Sequence, residues 1–355
     1  MNKTIIIAHN YTLNSFASMS YILANHLSNH GFNVVFISHR PYFWQRTKIN
    51  NRLTVLSWPT KNRPKNLADL IFIMKLAWEF KPSITIGHFV GAKFLNIASK
   101  IISFGKSITY DHYHTLSSQI LTDHGMKKSN IIRAKLYYYI FVDFVLPTSQ
   151  KALDDFQKQY KLNNALNYLT PLPDRLDSKQ HNSLPNYTNP NFGFLGRLNT
   201  SKGLDILVET FSSNEHLKLE IAGTGDSYKS IKSNINFIGP LHYEKVDEFI
   251  SSKTIIIIPS LFDNLVTVGL ETLMLQRVLL ISSNTGLTHY LTHGFDAIIF
   301  NPDLISLSAE IDKIMAGTYD LQAIANNGRE TYLNKFHPDI YCKWWSDEIK
   351  RVLPN

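Results

Sequence analysis

The chain predicts an α/β protein of two doubly wound parallel-sheet domains. Three observations lead there. Its 355 residues fit two domains at roughly 100–200 residues each. Short β-rich runs alternate with helical patterns in two successive series. A stretch holding four prolines, "PLPDRLDSKQHNSLPNYTNP" (171–190), separates the series and reads as a linker.

In the first series, strands are expected at 4–8, 33–38, 54–58, 83–89, 107–113, 144–149 and 165–170. Helices are expected near 15–30, 66–80, 91–104, 129–142 and 150–160. Runs such as "TIIIA" and "NVVFIS" are apolar on both faces, as strands buried in a parallel sheet must be. Strand–helix alternation implies right-handed βαβ units. The second series places strands at 191–197, 218–223, 235–239, 254–260, 278–283 and 297–302. "PDIYCKWWSDEIKRVL" (338–353) reads as an amphipathic helix with Pro338 at its start. The expected domains are thus 1–170, a linker 171–190, 191–337, and a C-terminal helix 338–355.

Composition narrows the class. With 44% apolar and 18% charged residues the chain supports a packed interior. No apolar run approaches the roughly 18 residues of a spanning helix, and the opening "MNKTIIIAHN" is too short for a signal peptide's apolar core. The single cysteine, Cys342, leaves no internal disulfide framework and no Cys-based zinc site. A cytoplasmic location follows as the expectation. Charge is uneven: residues 1–187 carry 22 Lys and Arg against 9 Asp and Glu, and residues 188–355 carry 14 against 19. An anionic surface facing the first half would account for this, as would background composition. Nucleic acid is not expected as a partner, because no recognition motif accompanies the charge.

In doubly wound sheets, ligands bind beyond the carboxyl ends of the strands. The first turn, "AHNYTLNSFAS", has no glycine, and in "AGTGD" Tyr228 stands where a third dinucleotide-motif glycine would fall. A P-loop is absent too. By contrast, "FLGRLNTSKGLDIL" (194–207) puts Arg197 and Lys202 between a strand and a helix. Two cations there can neutralise a leaving diphosphate, with helix N-terminal amides adding donors. Either alone would be an ordinary solvated loop residue.

"FLGRL…KG", "IAGTGD", "FIGPL" and "PSLFDNLVTVGLE" occur in that order. This succession resembles the retaining glycosyltransferases of family 4, which have the GT-B fold: two Rossmann-like domains facing across a cleft. The likeness covers most of the second domain by motif and the first mainly by layout. It implies that the final helix crosses back to the first domain. The family's E-x7-E is matched as D-x7-E by Asp263 and Glu271. By that likeness Asp263 contacts the donor sugar's hydroxyls and Glu271 the nucleotide ribose. Gly196, Gly223, Thr224, Asn264, Val266, Thr267 and Val268 are the accompanying donor-binding positions. The residues agree with this: Asp263 follows the strand on a loop, Thr267 is placed to cap a helix reaching about Leu275, and amides near Val266 to Gly269 would face a diphosphate. The alternative is a surface Asp and a Glu that merely favours the helix dipole.

In "ITYDHYHTLSS" (108–118) the likeness makes His114 the match to a histidine near the reacting carbon, with His112 second. Asn14, Ser15 and Phe16 occupy the first-turn acceptor region, where the family usually has paired glycines. Asp263 is one methylene shorter than the family's Glu, and Asn264 and Leu265 replace glycines.

The function implied is retaining transfer of a hexose from a nucleotide diphosphate-sugar, UDP-sugar first, to a saccharide or lipid-linked acceptor in cell-surface polysaccharide or lipopolysaccharide synthesis. The nucleotide sugar is a co-substrate and no cofactor is expected. Neither D-x-D nor a His/Asp set at ligand spacing is visible, so catalytic Arg197 and Lys202 would stand in for a metal. "RPYFWQRTKINNR" (40–52) and "KKSNIIRAKLYYYIF" (127–141) interleave basic and aromatic residues, which suits peripheral contact with an anionic membrane at the cytoplasmic leaflet. The alternative there is a core helix with a solvated basic face. Two other functions stay open: a weakened sugar-nucleotide-binding partner subunit, and a sugar-nucleotide epimerase of the same layout.

Overall fold

The computed structural model describes residues 3–10, 17–39, 47–60, 64–114, 128–166, 185–225 and 232–353. The chain forms two units, Met1–Leu176 with Pro338–Asn355, and Asp177–His337.

The first unit runs β1 (Thr4–Ala8), α1 (Ala17–Asn29), β2 (Asn33–Ser38), β3 (Thr47–Lys48), β4 (Leu53–Ser57), α2 (Leu67–Phe80), β5 (Ile84–His88), α3 (Val90–Ile102), β6 (Ile108–Tyr113), α4 (Lys128–Phe141), β7 (Phe144–Pro147) and α5 (Gln150–Tyr160). The sheet order is β3-β4-β2-β1-β5-β6-β7. All pairings are parallel except β3 with β4. Every side chain of β1 and β5 is buried, because helices cover both faces. Ser149 caps α5 by accepting from the Ala152 amide.

Two expectations lie largely outside the described residues. Among residues expected as a strand at 165–170, Ala165 makes only a single bridge to Val145, while 167–170 lie outside the described residues. Most of the expected linker, 171–184, also lies outside them.

The second unit runs β8 (Phe192–Leu195), a 3-10 turn (Thr200–Lys202), α6 (Leu204–Ser212), β9 (Leu219–Ala222), β10 (Ile235–Gly239), α7 (Val246–Ser251), β11 (Ile255–Ile258), α8 (Thr267–Met274), β12 (Val278–Ser282), β13 (Ile298–Phe300), α9 (Leu304–Met315) and α10 (Leu321–Lys335). Its parallel sheet has the order β10-β9-β8-β11-β12-β13. From β8 the chain steps outward to β9 and β10, then returns to β11 on the other side of β8. That reversal opens a crevice at the carboxyl ends of β8 and β11.

The last helix, α11 (Pro338–Val352), belongs to the first unit. Its Tyr341, Cys342, Trp345 and Ile349 are buried in one cluster with Ile5, Ile7, Val34 and Tyr110. The Tyr110 hydroxyl donates to Glu348 at 2.7 Å.

Candidate functional site

In the second unit the loops beyond β8, β9 and β11 are locked together by backbone. Gly196 N–H donates to the Ala222 carbonyl at 3.0 Å, Leu198 N–H to that of Thr224 at 2.7 Å, and Leu261 N–H to that of Ser201 at 3.0 Å. Gly203 has φ +68°, and a Cβ there would stand 1.9 Å from the Pro259 carbonyl oxygen. The loop after β8 therefore lies directly on the loop after β11. This contact brings Lys202 to Asp263: their side chains form a hydrogen-bonded ion pair, each less than one-fifth exposed. Asp263 is held from behind. Its Oδ1 accepts from the Asn264 amide at 2.9 Å, its own amide donates to Asn284, and its carbonyl accepts from Gly286. Arg197 is exposed on the same loop as Lys202, Thr224 is exposed after β9, and Gly196 and Gly223 are half-buried beside them.

The helix α8 begins three residues after Asn264. Thr267 is not its cap, contrary to the sequence expectation. Thr267 is already the first helical residue, and the N-cap is Val266, in extended backbone at φ −91° and ψ 107°. Valine has no side-chain oxygen, so no side chain caps the first turn. Gly269 N–H turns back to the Val266 carbonyl at 3.0 Å. Of the amides expected from Val266 to Gly269, that of Gly269 is thus engaged within the turn, and those of Thr267 and Val268 are first-turn donors placed for an anion. Val268 is half-buried on this turn, and Asn264 and Glu271 are buried at 4% and 5% exposure. One short segment thus carries a cation-paired carboxylate, two donor amides and a buried acid. That set is suited to a ligand with hydroxyls at both ends and negative charge between them.

The first unit holds a second cluster. His9 follows β1, His88 ends β5, and His112 and His114 lie at the end of β6. The His88 and His112 rings stack at 4.1 Å and 11°. His88 Nδ1 and His114 Nε2 are 3.0 Å apart, and His88 Nε2 is 3.1 Å from Ser20 Oγ of α1. Burial, then the neighbouring histidines, holds His9, His88 and His112 well below the usual imidazole range. Burial pushes His114 down to about 3. The expectation singled out His114 but missed His88, which lies 26 residues earlier. Only laying β5 beside β6 in register would have found it. Asn14, Ser15 and Phe16 lie outside the described residues.

Residues 177–331 match the family model of the glycosyl transferases group 1. The group 1 segment contains every candidate residue from Gly196 to Glu271, and neither His114 nor the first-turn residues. Over 177 residues the chain is 25% identical to MJ1607, an uncharacterized glycosyltransferase of Methanocaldococcus jannaschii, covering 46% of this chain and 43% of that one. The chain thus spans less than half of that relative's length. In three dimensions it is similar to sucrose-phosphate synthase from Thermosynechococcus elongatus, with TM-score 0.78 and 14% identity over 99% of each chain. It is also similar to Anabaena Alr3699/HepE in complex with UDP-glucose, with TM-score 0.72 and 12% identity over 98% of this chain and 99% of that one. The fold is GT-B.

Proposed function

We propose that the chain is a retaining glycosyltransferase that moves a hexose from a nucleotide diphosphate-sugar, a UDP-sugar in the first instance, to a saccharide or lipid-linked acceptor. The observation that carries this reading is the Lys202–Asp263 pair beside the open first turn of α8, inside the group 1 segment. The diphosphate lies against the Thr267 and Val268 amides. Lys202 and Arg197 compensate the charge that grows on it, so this reading draws on side chains and a helix terminus in place of a metal. Asp263, freed from full pairing with Lys202 by the arriving phosphate, accepts from sugar hydroxyls, and Glu271 accepts from the ribose. The bond between the anomeric carbon and the diphosphate oxygen breaks as the acceptor oxygen bonds that carbon on the same face. The acceptor proton passes to the leaving diphosphate, and the products are the glycoside and the nucleoside diphosphate.

The acceptor side of the reading draws on α4. Ile132, Leu136, Tyr139 and Ile140 are exposed, with exposed Arg133 and Lys135 among them, while Tyr137 and Tyr138 are buried. A helix that buries one face and shows isoleucine, leucine and cations on another suits an anionic lipid surface. No helix among the described residues is long and apolar enough to cross a membrane. We place the reaction at the inner face of the cytoplasmic membrane, in cell-surface polysaccharide or lipopolysaccharide synthesis.

A thermal-shift screen across UDP-, GDP-, ADP- and CMP-sugars tests the donor class. One nucleotide should raise the melting temperature by several degrees at saturation, and Lys202→Ala should abolish the shift. No shift with any of them sinks the reading. Anomer-resolved NMR of the product tests the stereochemistry, and an inverted linkage refutes retention.

A further inference from the structure

We propose that His88, His112 and His114 form a binding site for a divalent transition metal, zinc by preference, at the carboxyl edge of the first sheet. The site uses none of Arg197, Lys202, Asp263 or Glu271, and it takes up His114, the residue that the family likeness sets near the reacting carbon.

Strand register builds it. β5 and β6 pair in parallel with His88 opposite His112, so two imidazoles leave adjacent strands at the same level and on the same face. His114 follows two residues later and returns to that face. One ring nitrogen from each of the three lies within 4.8 Å of the others. The closest edge, His88 Nδ1 to His114 Nε2, is 3.0 Å. An ion about 2.0–2.1 Å from each nitrogen, the usual zinc–imidazole distance, sits across such an edge. Closing the set requires the His112 ring to tilt out of its stack on His88.

The surroundings suit ligation. Metal-bound histidines typically donate their second ring N–H to an outer partner, which fixes the tautomer. Ser20 Oγ stands 3.1 Å from His88 Nε2 and can fill that place; in the tautomer with the proton on Nε2, the Nδ1 lone pair faces His114 Nε2 at 3.0 Å. His88 and His112 are 0% and 2% exposed, and His114 is half-buried, which gives an ion an entry path. An all-nitrogen donor set favours zinc, copper, nickel or iron over magnesium and calcium. Three protein ligands leave a fourth position open, as in zinc sites that also take water or a small ligand.

The test uses the full chain, stripped with a chelator and titrated with zinc by calorimetry. One equivalent should bind at micromolar affinity or tighter. His88→Gln and His112→Gln should each weaken binding by at least roughly tenfold, and Ser20→Ala by about 10–100-fold through loss of the outer partner. His216→Gln, at an exposed histidine of the second unit, should change nothing. X-ray absorption on the zinc-loaded wild type should show three nitrogen neighbours near 2.0 Å, a readout that stands even if a histidine variant does not fold. The proposal is overturned if the wild type takes up no stoichiometric zinc, if the two histidine variants bind undiminished, or if the absorption spectrum shows fewer than three imidazole nitrogens.

Discussion

Gly223 is held at φ +154°, and a Cβ there would stand 1.7 Å from the Gly196 carbonyl oxygen. That neighbour is backbone, pinned on either side by the Gly196–Ala222 and Leu198–Thr224 hydrogen bonds, so it cannot yield as a flexible side chain would. Gly223→Ala should therefore destabilise the second unit by about 3 kcal/mol or more, well above an ordinary surface change. Urea unfolding followed by a probe in that unit measures it, and a cost under about 1 kcal/mol contradicts the close approach. Lys202→Ala acts differently. The pair it breaks is less than one-fifth exposed at either side chain, so the Asp263 carboxylate is left without its cation and the second unit should lose stability too, while turnover should fall by about 10²–10³ if Lys202 compensates leaving-group charge. Steady-state rates with the donor found by thermal shift decide this. That Lys202 and Asp263 would meet was legible because each lies on a short loop directly after a strand, and Glu271 was legible as a residue of the helix that follows. The three histidines were not, since register between strands far apart in sequence brings them together. Thr267 was misread because a threonine before an apolar run fits both a cap and a first helical position; only backbone geometry separates the two.

At the scale of elements, α11 shows how a helix far along the chain is fixed. Glu348 accepts from Tyr110 of β6 at 2.7 Å and from Arg351 Nε and a terminal guanidinium nitrogen at 2.7 and 2.6 Å. Burial alone would raise the Glu348 carboxyl, but the bonds from Arg351 and Tyr110 outweigh it and hold the group below the usual glutamate range. A carboxyl with a depressed folded value contributes stability that is present above about pH 4.5 and is lost as pH falls through the folded value. Glu348→Gln should flatten the wild-type fall in stability below that pH, as read by denaturant midpoints at pH 7 and pH 4. An unchanged slope means the carboxyl is not coupled to folding. The outer face of α4 carries its own expectation. Leu136→Glu with Ile140→Glu should reduce flotation with anionic vesicles without lowering the melting temperature, because both side chains are more than half exposed. Vesicle binding that is absent in the wild type ends the membrane reading. Most elements were legible, because buried parallel strands are apolar throughout and helices punctuate them regularly. The edge strand β3 was not, as two exposed residues carry no periodicity.

At the scale of the molecule, the second unit is an insertion between the first unit and its final helix. Each unit has its own buried clusters. One joins Ile5, Phe36, Tyr110 and Trp345, and another joins Phe192, Phe211, Ile257 and Leu280. Trp345 is fully buried, with its ring 5.1 Å from that of Tyr110 and edge-on to it. Beside it the His26 ring meets Ser346 Oγ at 2.8 Å, and the Lys3 ammonium donates to the Leu353 carbonyl at 3.0 Å, so the last helix is stitched to the first strand and first helix. Trp345→Ala should cost the first unit about 3–5 kcal/mol, the usual range for emptying an aromatic site that cannot collapse. The change lies near the carboxyl terminus, yet the second unit should not feel it. Calorimetry with and without a saturating UDP-sugar separates the two effects. Ligand present at 100 times its dissociation constant stabilises the unit that binds it by about 2.7 kcal/mol. In the variant, the transition that responds to nucleotide sugar should keep its wild-type temperature and its shift, while the other moves down. A variant in which the nucleotide-sensitive transition falls by as much as the other shows that the two cores do not unfold separately, and that donor binding cannot be assigned to the second unit from stability alone.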